Sequence, residues 1–143
     1  MGKTPFHLWI VGFLSLLWNA GGAFDYVMTR TNAAAYLAAQ PPERLAMLAE
    51  APFWFDITWA IGVWLSVIGS LLLLVRSRVA GTAFALSLAG LIGSSIYTYG
   101  MSDGGSMVAA AGPAAIAFNV AIPLILVGLW LYARAMTKRG VLR

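Results

Sequence analysis

The 143 residues include no cysteine and a single histidine, and only 10% of them are charged. The first absence excludes a disulfide framework, a thiolate nucleophile and a cysteine-bound metal, and one histidine cannot build a zinc site alone. The scarcity of charge excludes an ordinary soluble domain, in which about 25% of residues are charged and about 45–50% apolar. Acids are the scarcest class, five against nine Lys and Arg. The resulting isoelectric point of 9.9 could suggest nucleic acid, but the basic residues stand at the ends of apolar runs, where topology and anionic headgroups account for them. Paired acids for hydrolysis, a Ser/His/Asp set, a Gly-rich phosphate loop and a histidine pair for haem are missing as recognisable constellations. The expectation is a non-enzyme with no cofactor and no metal.

What is present is hydrocarbon. Apolar residues make up 61% of the chain, and the mean hydropathy is +0.83. Fifteen Gly and eighteen aromatics, six of them Trp, fit a bilayer protein, because Gly lets membrane helices approach closely and Trp and Tyr gather at the interfaces. Four apolar stretches follow in turn, Pro5 to Thr29, Pro52 to Arg76, Val79 to Met101 and Pro113 to Met136. Each is near the roughly 20 residues that a helix needs to cross an about 30 Å core. Thr4 is the expected cap of the first, with Pro5 at its first helical position, and Pro52 opens the second in the same way. The loop Ser102-Asp103-Gly104-Gly105-Ser106 stops the third. The fold expected over residues 1–143 is therefore a single all-α domain, a polytopic antiparallel four-helix transmembrane bundle.

Orientation follows from charge, since short loops rich in Lys and Arg stay cytoplasmic. Lys3, Arg76, Arg78, Arg134, Lys138, Arg139 and Arg143 fall on one side with no acid among them, while Arg30, Arg44, Asp25, Glu43, Glu50, Asp56 and Asp103 fall on the other. Both termini are expected in the cytoplasm. Residues 1 to 23 also have the outline of a secretory signal, with Lys3, the run Leu8 to Leu17 and small residues Ala20 to Ala23. The apolar run continues through Phe24 to Met28, so an uncleaved first helix is the better reading. Between the first two spans, Arg30 to Ala51 holds two helical pieces, and Pro42 opens the second with Glu43 in its first turn. Leu45, Met47 and Leu48 give that piece an apolar side, so it reads as a short amphipathic periplasmic helix lying on the headgroups, or as a cap over a pocket.

Polar side chains inside the spans are few, and each is a functional candidate because burial in hydrocarbon is expensive. Asn19 lies roughly 12 Å, and Asn119 roughly 9 Å, below the outer end of its helix. Pro123 follows Asn119 by four residues, removing the N–H that would bond the Asn119 carbonyl and kinking the helix. With Asp25, Asp56 and Tyr97 these residues concentrate polarity in the outer half. They form either a substrate-binding recess for a small polar solute or structural glue between helices. Asp25, Asp56 and Asp103 could also approach one another and hold a divalent cation, although no motif spacing supports it. Small residues line one face of the third span, Ala83, Ser87, Gly90, Ser94 and Tyr97, and of the second, Gly62, Ser66, Gly69 and Ser70, so these two are expected to pack closely. Phe24, Tyr26, Phe53, Trp54, Phe55, Tyr97 and Tyr99 read as an outer aromatic belt, and Trp9, Trp130 and Tyr132 as an inner one, with His7 beside it.

The runs Pro5-Phe6-His7-Leu8-Trp9, Trp18-Asn19-Ala20-Gly21-Gly22-Ala23-Phe24-Asp25-Tyr26, Trp59-Ala60-Ile61-Gly62-Val63-Trp64 and Leu131-Tyr132-Ala133-Arg134-Ala135-Met136 resemble those of small four-span proteins of Gram-negative bacteria often labelled sugar transporters. The resemblance implies an inner-membrane location and raises transport as a function. Small multidrug transporters share only the size, since their acid sits deep in the first helix and Asp25 lies near its outer end. Two classes of function remain. The chain is a non-catalytic membrane subunit or scaffold, or it is a small-solute transporter that has to oligomerise to enclose a pathway. The expected partners are the lipid bilayer and further copies of the chain or a larger membrane complex, not nucleic acid.

Overall fold

The computed structural model describes residues 3–143. Met1 and Gly2, the first positions of the expected domain and of the alternative signal segment, lie outside the described residues. Among the described residues there is no strand. The elements are α1 (Phe6–Arg30), α2 (Ala34–Ala38), α3 (Pro42–Ala49), α4 (Phe53–Leu74), α5 (Ala80–Ser95) continued by a π turn (Ile96–Met101), α6 (Gly104–Ala110) and α7 (Pro113–Lys138). Four helices, Phe6–Arg30, Phe53–Leu74, Ala80–Met101 and Pro113–Lys138, are long and apolar enough to cross a membrane.

Their starts follow from proline chemistry, with one adjustment. Pro42 and Pro113 occupy the first helical turn, where a missing N–H costs nothing. Pro5 and Pro52 stand one residue further out than expected. Their extended ψ angles, 139° and 155°, make them the flanking residues, and their carbonyls accept from Leu8 N and Phe55 N at 3.0 and 2.9 Å. Thr4 is not the cap. The loop expected over 102–106 is also shorter, because α6 begins at Gly104. Glycine is a poor helix former, but a Cβ at Gly104 would stand 2.5 Å from Thr98 O, so tight packing on the preceding turn overrides propensity.

Contacts between the long helices run in opposite order. Along α1 and α4, Gly12 meets Leu74, Asn19 meets Ser70 and Ser66, and Arg30 meets Asp56. Along α4 and α5, Gly69 meets Phe84, Gly62 meets Gly90 and Ser87, and Thr58 meets Gly93. Along α5 and α7, Gly81 meets Arg134 and Tyr99 meets Asn119. The small-residue faces expected to join α4 and α5 divide their work. Gly62 and Gly69 face α5, whereas Ser66 and Ser70 serve α1.

The tightest apolar core lies at the end bearing Lys3, Arg76, Arg78 and the C-terminal segment. Leu8, Leu73, Phe84, Leu129, Met136 and Leu142 meet there, drawn from four long helices and the tail. Two similar helix ends build its floor. α4 closes with Ser77 N on Leu72 O at 2.8 Å and Arg76 N on Leu73 O at 3.0 Å, and α7 closes with Val141 N on Met136 O at 2.9 Å and Gly140 N on Thr137 O at 3.0 Å. Each is a Schellman turn requiring one left-handed residue, supplied by Gly140 at φ 69° and by Arg76 at φ 60°. The segments that leave these turns pair with each other, Arg143 N on Arg76 O at 2.8 Å and Arg78 N on Arg143 O at 3.0 Å.

At the opposite end, α3 crosses the mouth of the bundle. Arg44 reaches Asp25 of α1, and the Met47 carbonyl accepts from Tyr97 OH at 2.9 Å. Phe55 and Tyr97, expected in the outer aromatic belt, are instead buried against each other, with ring centroids 4.9 Å apart. α7 is packed unevenly. Its buried residues, Leu126, Leu129, Ala133 and Met136, all lie in its second half.

Candidate functional site

The six residues singled out from sequence divide among separate contacts. Asn19 is buried on α1, and its amide donates to Ser70 Oγ at 3.0 Å and Ser66 O at 3.2 Å on α4. Ser15 Oγ, with one proton to donate, lies 2.9 Å from the same Ser70 hydroxyl and 3.0 Å from Gly12 O. Ser70 is thus a fully buried hub between two helices. Ser15 and Asn19 are four residues apart, as are Ser66 and Ser70, and that double i, i+4 spacing puts both polar pairs on facing sides. It is the signal that could have revealed the seam from sequence.

Asp25 anchors the connection between α1 and α4. Arg44 binds both of its oxygens at 2.8 and 3.0 Å, and Tyr36 OH donates to Oδ1 at 2.6 Å. Gln40 Oε1 orients the guanidinium from the other side at 2.7 Å. Burial, then the hydrogen bond and charge of Asp25, push the Tyr36 phenol above its ordinary value of 10. Asp56 pairs with Arg30, whose guanidinium also lies 5.3 Å from the centre of the Trp59 ring. Both ion pairs are about a third exposed or less, a geometry in which each contributes up to about 1 kcal/mol. Thr29 Oγ1, on the same end of α1, is the one buried side-chain polar atom without a partner among the described residues.

Tyr97 is tied to the Met47 backbone as described above. Asn119 donates to Ala115 O at 2.9 Å, one turn back on its own helix, and accepts from Tyr99 OH at 3.0 Å. α7 remains helical through Pro123. The three carboxylates that could have shared a cation do not gather. Asp25 and Asp56 each hold an arginine, and no cluster of three metal-ligating side chains exists among the described residues. His7 sits at the other end of the molecule from every acid, with Nδ1 2.5 Å from Tyr132 OH.

Two clefts lie toward the end of the bundle that α3 crosses. The first, about 450 Å³, opens between α5 and α7 where α7 stands off, and its walls are Leu88, Leu91, Ile92, Tyr99, Pro123 and Val127. The second, about 420 Å³, lies between α1 and α4 beside Tyr26, Arg30, Phe53, Asp56 and Ile57. Pro123 therefore lines one cleft and Asp56 the other. Asn19 lies in the α1–α4 seam, and Asp25 and Tyr97 hold α3 across the mouth. Sequence reasoning had not identified the partners Tyr36, Arg44, Ser70 and Arg30, because each is joined to its acid or amide across an interval that only the fold closes. Comparisons of the chain with models of known protein families, with characterised proteins and with solved structures found no match.

Proposed function

We propose that this chain is a small non-catalytic integral membrane protein of the bacterial inner membrane, serving as a subunit or scaffold in a membrane assembly. In this reading it crosses the bilayer four times as an antiparallel bundle, with both termini cytoplasmic and α2 and α3 on the periplasmic side. The orientation rests on the seven basic residues and no acidic side chain at one end. One observation carries the functional part. Asn19, Asp25, Asp56, Tyr97 and Asn119 are engaged with partners inside the chain, while large apolar side chains such as Phe13, Leu17, Ile92, Phe118, Leu124 and Leu131 point outward. The half of α7 with no buried residue is the face most available to another membrane helix.

The second reading is a small-solute transporter, sugar being the candidate class, that acts as an oligomer. Its support is the resemblance of the four quoted runs and the cleft beside Asp56 and Arg30. One paired experiment separates the two. Tagged chain is cross-linked and purified from native membranes, and the pure chain is reconstituted in proteoliposomes with a panel of radiolabelled sugars. A subunit or scaffold co-purifies at fixed stoichiometry with a membrane partner and gives no flux above empty vesicles. Saturable sugar flux by the pure chain would overturn the scaffold reading.

A further inference from the structure

We infer that the basic end of the bundle carries a binding site for the phosphate of an anionic phospholipid, built by Arg76, Arg78 and Arg143 with Arg134 beside them. It rests on the membrane-spanning part of the reading above and is independent of the scaffold role.

The fold brings the backbones of these residues together. Arg143 is 65 residues beyond Arg78 in the chain, yet its backbone exchanges hydrogen bonds with the backbones of both Arg76 and Arg78. Arg134 lies next to the following turn, its Cγ 3.9 Å from where a Cβ on Gly81 would stand. No acidic side chain pairs with any of the four, and all five acids of the chain lie toward the opposite end. Arg78, Arg134 and Arg143 are exposed, so an anion at this end is within reach of more than one guanidinium. Arginine presents a planar fork of donors that matches phosphate oxygens.

Arg76 adds a second argument. It occupies the left-handed position of a Schellman turn, which glycine fills without strain and which glycine does fill in the matching turn at Gly140. A non-glycine residue in that region costs free energy, which contacts of its side chain can offset. One guanidinium nitrogen, Nε, holds Val141 O at 3.2 Å, which leaves the terminal nitrogens of the fork for another acceptor.

The surroundings select a lipid rather than a free anion. Val75 and Val79 flank the arginines and are 72% and 52% exposed, which gives acyl chains a wall beneath the headgroup. The Arg134 guanidinium lies 5.0 Å from the centre of the Trp130 ring, a pairing of cation and aromatic suited to a membrane interface. Basic pockets between helices on the cytoplasmic side are where acidic headgroups bind.

The experiment titrates the detergent-solubilised full chain with phosphatidylglycerol and reads the thermal unfolding midpoint. Phosphatidylcholine of the same acyl length and inorganic phosphate are the comparators. At about ten times Kd the anionic lipid is expected to raise the midpoint by roughly 4 °C, with neither comparator doing so. Arg76→Gly is the informative variant, because it relieves the left-handed backbone while removing the guanidinium. It should fold, and with Arg78→Gln it should lose the shift. A Lys138→Gln, Arg139→Gln double variant removes as much charge from the same end and should keep it. An equal shift from phosphatidylcholine, an equal shift from phosphate, or loss of the shift in the Lys138/Arg139 variant would each overturn the proposal. The membrane reading is tested separately by whether the chain is extracted from native membranes by detergent but not by alkaline carbonate. A chain released by carbonate would refute that reading whatever the titration gave.

Discussion

Ser70 and Asn19 provide the sharpest test of what the polar residues inside the spans are for. Ser70 is fully buried, accepts from Asn19 Nδ2 at 3.0 Å and is hydrogen-bonded to Ser15 Oγ at 2.9 Å, while the same Asn19 nitrogen reaches Ser66 O at 3.2 Å. Interhelical hydrogen bonds in membrane proteins contribute about 0.6 kcal/mol each, with a maximum of about 1.7. Asn19→Ala gives up two of them and is expected to destabilise the α1–α4 pair by about 1–3 kcal/mol. Ser70→Ala also gives up two, but Ser15 keeps its bond to Gly12 O and Asn19 its bond to Ser66 O, so about 1 kcal/mol is expected. The bond shared by Asn19 and Ser70 is counted in both variants, and the double variant should therefore cost less than the singles combined, by about 0.6 kcal/mol or more. Reversible unfolding in mixed micelles, followed by tryptophan fluorescence over an SDS titration, measures all three. Ser94→Ala is the control, since that hydroxyl bonds only Leu91 O of its own helix, and it should change stability by less than about 0.5 kcal/mol. Unchanged stability in Asn19→Ala, or additivity within about 0.3 kcal/mol, would refute the seam as structural glue and return Asn19 to the list of ligand contacts.

Other outcomes follow from particular contacts. A Cβ at Gly90 would stand 2.7 Å from Thr58 O and 2.9 Å from Gly62 Cα, so Gly90→Ala must part α4 from α5 and should cost about 1–3 kcal/mol or more. Gly128→Ala, with open space around it, should be neutral or gain about 0.5–1 kcal/mol from helix propensity, and equal losses at both positions would contradict the packing described. The Tyr36 phenol is held above its ordinary value by burial and by Asp25, so the folded state favours its neutral form. That contribution is complete below pH 10 and is lost as pH rises through the raised value. The gap in stability between the parent chain and Tyr36→Phe should accordingly be constant below pH 10 and narrow above it, and a gap that widens in alkali would reverse the argument. The lack of native cysteine allows clean topology mapping with single cysteines. Cysteine in place of Ser102 or Ser106 should react with an impermeant maleimide in intact spheroplasts, and cysteine in place of Ser77 only after lysis, whereas the opposite pattern would invert the orientation.

The sequence by itself determined the architecture at the level of elements. Four apolar runs became four helices long and apolar enough to cross a membrane, because a helix satisfies its backbone polar groups within its own segment. Pro42 and Pro113 marked helix starts for an equally local reason, and the helical character of both pieces between Arg30 and Ala51 was legible from their composition. The fate of the polar side chains was not local. Whether Asn19 faces a solute or Ser70, and whether Asp56 is a free carboxylate or the partner of Arg30, depends on how α1 is rotated against α4. That rotation is set by packing across the seam, as where Gly12 of α1 lies against Leu74 of α4. Positive residues at helix ends could be read as topology signals, but only the paired Schellman turns of α4 and α7 brought Arg143 between Arg76 and Arg78. A pattern along one helix reports which side is apolar, while the identity of the group opposite each polar atom is a property of two helices at once. That second kind of information, carried by side-chain volumes and close backbone approaches, is what the tertiary structure supplied.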